Sequence, residues 1–248
     1  MTSVLKLGGS VVTDKDEPET VDETNLGRAA AALAGTDELV LVHGGGSFGH
    51  HHASEHGVTT TEGTHEAAGV TDIHGAMKRL NDAVVGALQR EGVPAVPVHP
   101  FSVARRDAGG ELHLPADSVA AMLAEGFVPV LHGDVVVHAG RGATILSGDE
   151  LVVSLAASLG ADRVGLCSDV PGVLDDSGAV VPRIERFADV VDYLGGSEST
   201  DVTGGMATKV RELLALGAPA HVFDLDGLAA FVAGESPGTR IEGTDGGA

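Results

Sequence analysis

The chain has 248 residues and a formal net charge of −21, from 36 Asp and Glu against 15 Lys and Arg. Such a surface repels nucleic acid and anionic membranes, which argues against DNA-, RNA- and lipid-surface-binding roles. Hydrophobic residues make up 43 % and fall in periodic runs, so the sequence encodes a sizeable packed core rather than disorder.

The opening "SVLKLGGSVV" has no basic segment followed by an apolar stretch and a small-residue cleavage site, and no apolar run approaches the length of a bilayer span. A cytoplasmic, soluble protein is expected. The single cysteine, Cys167 in "RVGLCSD", excludes an intramolecular disulfide and reads as a buried thiol. An acidic, lysine-poor folded chain suits a cytoplasm at molar salt, where excess carboxylates keep the surface hydrated, so a halophilic source is expected.

In chain order, "SVLKLGG" reads as a strand and "VDETNLGRAAAALAG" as a helix, followed by the strand "ELVLVHGG". A long amphipathic helix, "TDIHGAMKRLNDAVVGALQREG", presents Ile73, Met77 and Leu80 at helical spacing, the pattern of a core face. Then come the strand "VPAVPVHP", the helix "PADSVAAMLAEG" and the strand "FVPVLHGDVVV". The helix "GDELVVSLAASLG", the strand "DRVGLCSD", the helix "GGMATKVRELLALG", the strand "AHVFDL" and the short helix "GLAAFVAG" complete the pattern. Near-continuous apolar strands alternating with helices predict an α/β fold around a mostly parallel sheet covered on both faces. "RRDAGGELHL" interrupts the alternation and reads as a hairpin turning at Gly109-Gly110.

Four glycine-rich junctions follow strands: "KLGGS", "HGGGSFGH", "LSGDE" and "DVTGGMATK". A fifth junction, "SDVPGVL", follows "RVGLC". They lie where an α/β sheet places ligands, at the carboxyl ends of its strands. Glycine lets backbone N–H groups approach a phosphate, and a following helix adds its positive N-terminal end. Neither a Walker A loop nor G-x-G-x-x-G after a strand is present.

Lysine is nearly abandoned in favour of eleven arginines, yet Lys6, Lys15 and Lys209 stand in or beside glycine-rich or strand-end segments, with Lys78 on a helix. A compact ammonium is useful where a point charge must sit on a phosphate. Glycine-lined phosphate cradles facing one another across a lysine-rich gap are what phosphoryl transfer needs, since catalysis there is mostly positioning and charge neutralisation.

The stretch "HGGGSFGHHH", His43 to His52, admits a metal site, a phosphate cradle or a tight turn. Three successive histidines on a helix cannot aim three rings at one ion, and His52 with His56 would make only half a zinc site. The phosphate cradle is the favoured reading, with His50 functional and His51 and His52 on the helix surface.

The order "KLGGS", "HGGGSFGH", "SGDEL", "SDVPGVL", "DVTGGMATK" resembles the amino acid kinase superfamily from residue 4 to about residue 216. "TGGM-x-x-K" is shared across that superfamily, whereas the histidine closing "GGGSFGH" is similar to that of archaeal, here haloarchaeal-like, isopentenyl phosphate kinases. The resemblance implies a single three-layer α/β/α sandwich over residues 1–248. It implies acceptor binding in the N-terminal half, about 1–145, and nucleotide binding in the C-terminal half, about 146–248.

It also implies ATP as phosphoryl donor, Mg²⁺ held mainly by the nucleotide phosphates with no protein metal ligands, isopentenyl phosphate as acceptor, and a homodimer. Carried over position by position, Lys6, Gly8, Gly9 and Ser10 would line the β- and γ-phosphates. Lys15 would stabilise the transferred group. Gly45, Gly46 and Gly49 would offer backbone contacts in the substrate loop, with Gly46 near the γ-phosphate. His50 would donate to the acceptor phosphate, Gly148 would contact the acceptor, and Asp149 would stay ionised and orient the lysines. Asp169 and Gly172 would lie by the nucleoside, with Gly205 and Lys209 on the phosphates. The alternatives are a kinase for another small phosphate or phosphonate, and a non-catalytic nucleotide-binding sensor.

Overall fold

In a computed structural model the described residues are 1–194 and 206–243. Strands β1 (Ser3–Leu7), β2 (Leu39–His43), β3 (Ala95–Pro97), β6 (Val128–His132), β9 (Arg163–Ser168), β10 (Arg183–Ile184), β11 (Ala220–Asp224) and β12 (Thr239–Ile241) form an eight-stranded sheet. Its order is β10-β12-β11-β9-β1-β2-β6-β3, and every pairing is parallel except β11 with β12. A smaller sheet of order β5-β4-β7-β8 joins Arg105–Arg106 (β4), Leu112–His113 (β5), Asp134–His138 (β7) and Gly142–Leu146 (β8).

Side chains alternate across a strand, and the central strands use this to fill two different layers. Leu5, Leu7, Leu39 and Leu41 point to one side, where they pack with Leu26 and Ala30 of α2 (Glu23–Ala32) and Leu80, Val84 and Leu88 of α4 (Ala67–Arg90). Val4, Val40, Val42, Val164 and Leu166 point to the other. There they meet Leu151, Val152 and Leu155 of α6 (Gly148–Leu159) and Val210 and Leu213 of α8 (Met206–Leu214). The result is the three-layer α/β/α arrangement expected, with Ile73, Met77 and Leu80 all buried as core.

Helix ends follow their local chemistry. Asp22 caps α2 by accepting from the Asn25 N–H, and Ser147 and Glu150 form a reciprocal capping box on α6, which stops at left-handed Gly160. The long helix begins at Ala67, four residues before the expected Thr71, and a four-residue turn α1 (Gly9–Val12) follows β1 directly.

The hairpin forms as expected, with Arg105 opposite His113 and Arg106 opposite Leu112. One expected strand divides: "FVPVLHGDVVV" is cut at Gly133, so that β6 belongs to the large sheet and β7 to the small one. A β-carbon at Gly133 would lie 3.4 Å from the Leu146 carbonyl oxygen and 3.5 Å from the Gly148 nitrogen, and its own N–H donates to the His43 carbonyl at 3.0 Å. The chain changes sheet there, with Gly133 in van der Waals contact with β8 and the start of α6.

Candidate active site

Parallel pairing lines up the carboxyl ends of the central strands, with Leu7 opposite both His43 and Cys167, and His43 opposite His132. The junctions "KLGGS" and "HGGGSFGH" therefore meet at one edge. A β-carbon on Gly9 would collide with the Gly46 backbone, and one on Gly44 would sit 2.6 Å from the Gly9 nitrogen. Thus "KLGGS" and "HGGGS" touch main chain to main chain.

Gly46 has φ +48° and starts α3 (Gly46–Glu55), with the Thr13 side chain where a β-carbon would go. Thr13 ties the two loops together: its hydroxyl donates to the Gly9 carbonyl at 2.8 Å and accepts from the Ser47 N–H at 3.0 Å. Gly45 and Gly49 leave room for the Met77 sulfur, 3.5 and 2.9 Å from where their β-carbons would be. His50 lies exposed in the second turn of α3.

Lys6 reaches from β1 to Asp149, the second residue of α6, at 2.6 Å, and Lys209 of α8 approaches the other carboxylate oxygen at 3.7 Å. Gly148 makes the approach possible, since a β-carbon there would stand 3.2 Å from Lys6 Cε. Burial alone would raise the pKa of Asp149, but the Lys6 and Lys209 ammonium groups outweigh it and hold the carboxyl below its ordinary value. Asp149 thus bridges two lysines. Both Asp149 and Lys209 face a cavity of about 380 Å³, also lined by Arg106, Arg141 and Glu212. Burial there, with Asp149 close by, raises the pKa of Glu212.

Lys15 is placed apart from that pair. Its ammonium meets Asp169, beyond the end of β9, at 2.5 Å, with both side chains more than half exposed, and this bond holds the Asp169 carboxyl low. Gly8 and Ser10 sit in the bend from β1 into α1. Gly172 packs on Thr239, whose hydroxyl would be 2.6 Å from a β-carbon. Gly205 lies outside the described residues.

The histidine run needs one correction. His52 is not a bare surface group: its ring meets Glu19 at 2.5 Å, and Glu19 is also gripped by Arg79 at 2.7 and 3.1 Å. His56 turns to a different carboxylate, Asp72, at 3.1 Å, so the two histidines do not share a centre. Among the described residues the cluster with metal-ligand spacing is Asp107, Glu111 and His113 on the hairpin, away from the glycine loops.

Sequence reasoning missed a buried polar layer under the loops: His43, His132, Asn81 and Asp134, flanked by His74 and His99. The available signal was a repeated one, "LVHG" and "VLHG", an apolar strand ending in His-Gly twice. It also missed Arg106, which reaches from β4 to both carboxylate oxygens of Glu150 at 2.7 and 2.9 Å and so ties the small sheet to the start of α6.

Residues 1–224 match the model of the amino acid kinase family. An isopentenyl phosphate kinase of Haloferax volcanii is 70% identical over 97% of this chain and 98% of its own length. One from Methanocaldococcus jannaschii is 34% identical over 98% and 99%. A crystal structure of isopentenyl phosphate kinase superposes with a TM-score of 0.82 at 31% identity, covering 97% of this chain and 99% of the other. With a family match over most of its length and near-full-length likeness to these enzymes, the chain belongs to the amino acid kinase family and, within it, to the isopentenyl phosphate kinases.

Proposed function

We propose that this chain transfers the γ-phosphoryl group of ATP to isopentenyl phosphate, giving isopentenyl diphosphate and ADP. The observation that carries this reading is the Lys6–Asp149–Lys209 bridge set beside two glycine loops in backbone contact. A phosphate oxygen of the acceptor attacks the γ-phosphorus while the bond to the β–γ bridging oxygen breaks, and the electron pair leaves with ADP. The nucleophile is already anionic, so no general base is needed. What the reaction needs is relief of repulsion between two phosphate groups a few ångströms apart.

Lys6 and Lys209, held by Asp149, supply fixed positive charge to the nucleotide phosphates, with Gly8, Gly9, Ser10 and Gly205 lining them. Lys15 follows the transferred group, and Asp169 and Gly172 border the nucleoside. Gly45, Gly49, Gly148 and His50 receive the acceptor, with Gly46 near the γ-phosphate. Acceptor handling thus falls to the half before about residue 145 and nucleotide handling to the half after it. The first turn of α3 adds its positive end to the acceptor side.

Asp149 and Asp169 are each engaged by lysine, while Glu212 faces the cavity with its pKa raised by burial. That donor set fits Mg²⁺ carried on the nucleotide phosphates, where the ion neutralises developing charge. No helix among the described residues is long and apolar enough to cross a membrane. The acidic surface fits the cytoplasm of a halophile, and the reading includes a homodimer.

The test is ADP release in high salt with Mg-ATP, comparing isopentenyl phosphate with UMP, acetylglutamate and a phosphonate. Turnover on isopentenyl phosphate well above the others is expected. ATP binding without acceptor-dependent ADP would identify a sensor, and preference for another acceptor would replace the substrate.

A further inference from the structure

The strand ends β2 and β6 carry His43 and His132 side by side, both without solvent exposure, their rings stacked with centroids 5.5 Å apart. Each uses the same unusual contact. His43 Nδ1 lies 3.1 Å from the carbonyl oxygen of Gly44, and His132 Nδ1 lies 2.9 Å from that of Gly133. A carbonyl can only accept, so both Nδ1 atoms carry the proton.

The far nitrogens agree. His43 Nε2 faces the Asn81 amide nitrogen at 3.1 Å, and His132 Nε2 faces His99 Nδ1 at 3.0 Å, so each accepts there. Both rings are therefore neutral Nδ1–H tautomers. Burial supports this, holding His43 down to about 4 and His132 to about 3.

The consequence lies in the following peptide. A peptide unit is planar, with C=O and N–H on opposite edges. Holding the Gly44 carbonyl against the His43 ring turns the Gly45 N–H the other way. The His132 contact acts on a different peptide, since the Gly133 carbonyl shares its plane with the Asp134 N–H, and Gly133 itself packs beneath the acceptor loops. Its N–H donates to the His43 carbonyl, and the point where its β-carbon would be is 3.5 Å from the Gly148 nitrogen and 3.9 Å from the Gly45 nitrogen. The Gly45 and Gly148 nitrogens thus both border the space over Gly133. A leucine or valine would serve the strands equally well and would leave both carbonyls unpaired in the interior.

We propose that His43 is a positioning residue, which fixes the Gly45 amide on which the acceptor phosphate rests by holding the Gly44 carbonyl against its own ring. This rests on the reading of Gly45 as an acceptor contact.

Asparagine can place an amide N–H where Nδ1 is, whereas glutamine places it near Nε2. In steady-state kinetics His43→Gln should raise the KM for isopentenyl phosphate about tenfold, the loss of about one buried hydrogen bond, with the ATP KM within twofold. His43→Asn should recover most of the loss. Acceptor KM unchanged in stably folded His43→Gln would overturn the inference and leave the acceptor reading standing. A rise confined to the ATP KM would overturn the acceptor reading and the inference with it. A merely structural role would move both KM values with thermal stability and show no preference for Asn. Independently of any variant, long-range ¹H–¹⁵N spectra of the wild type should show the His43 ring as the Nδ1–H tautomer; an Nε2–H ring would contradict the proposal.

Discussion

Two polar regions meet under the glycine loops, and they are built on opposite principles. Around Asp149 three charges are packed together, with Lys6 and Asp149 nearly buried and Lys209 closing the other side. Beneath Gly45 the layer of His43, His132 and Asn81 is just as buried, its two rings held neutral by burial, with the Asp134 carboxyl at its margin bonded to His74. Charge serves where a negatively charged group must move, because attraction in a poorly solvated gap is strong. Neutral hydrogen bonds serve where a loop must only be held in one orientation. A protein otherwise crowded with carboxylates pairs Asp149 with lysine and Asp134 with His74, and it has four lysines in the whole chain.

The largest effect expected from breaking this contrast is at the charged side. Asp149→Ala leaves two ammonium groups facing each other, one of them buried, and should cost roughly 3 kcal/mol or more of stability. It should also lower kcat by about a hundredfold or more. Chemical denaturation and steady-state kinetics at fixed salt check both numbers, and near-wild-type behaviour in both would remove Asp149 from its role.

The neutral side should fail with acid. His43 and His132 have folded pKa values below the unfolded value of about 6.5, so the unfolded chain takes up protons first as pH falls. Stability from them is complete above about pH 6.5 and is lost below it, at about 2 kcal/mol for each by pH 5, levelling off only below about 4 and 3. The groups facing these rings are Asn81, His99, Asp134 and each other, and His99 is also shifted downward, chiefly by burial, so it adds in the same direction. Urea unfolding at pH 7 and pH 5 measures the slope, and His43→Asn should reduce it. Asp149, depressed rather than raised, holds its contribution until the pH falls through the ordinary carboxylate range.

The smallest effect sharpens the comparison by moving the charge outward. The Lys15–Asp169 pair is more than half exposed on both sides, so Lys15→Ala should change stability by less than about 0.5 kcal/mol. A fall in kcat of about tenfold or more with unchanged melting temperature would separate its electrostatic work from any structural one.

The strands, the covering helices and the glycine junctions were legible because each rests on a local signal: apolar runs, 3.6-residue periodicity and clustered glycine. The division at Gly133 was not, since "VLHGDVV" reads as one apolar strand until its second half is seen pairing with β8 in the small sheet. Lys6, Asp149 and Lys209 were named from their motifs, but that they share one bridge depends on residues 143 positions apart coming together. His52 looked like surface because its partner Glu19 lies 33 residues earlier. The histidine floor was missed for a related reason, since a histidine ending an apolar strand shows its purpose only when the carbonyl it holds is in view.

The most direct test of this division of labour is a side-by-side kinetic comparison of Asp149→Asn and His43→Gln with isopentenyl phosphate and Mg-ATP. The account predicts that Asp149→Asn falls mainly in kcat, with the acceptor KM within a fewfold of wild type, while His43→Gln falls mainly in acceptor KM. The same kinetic signature from both substitutions would contradict it.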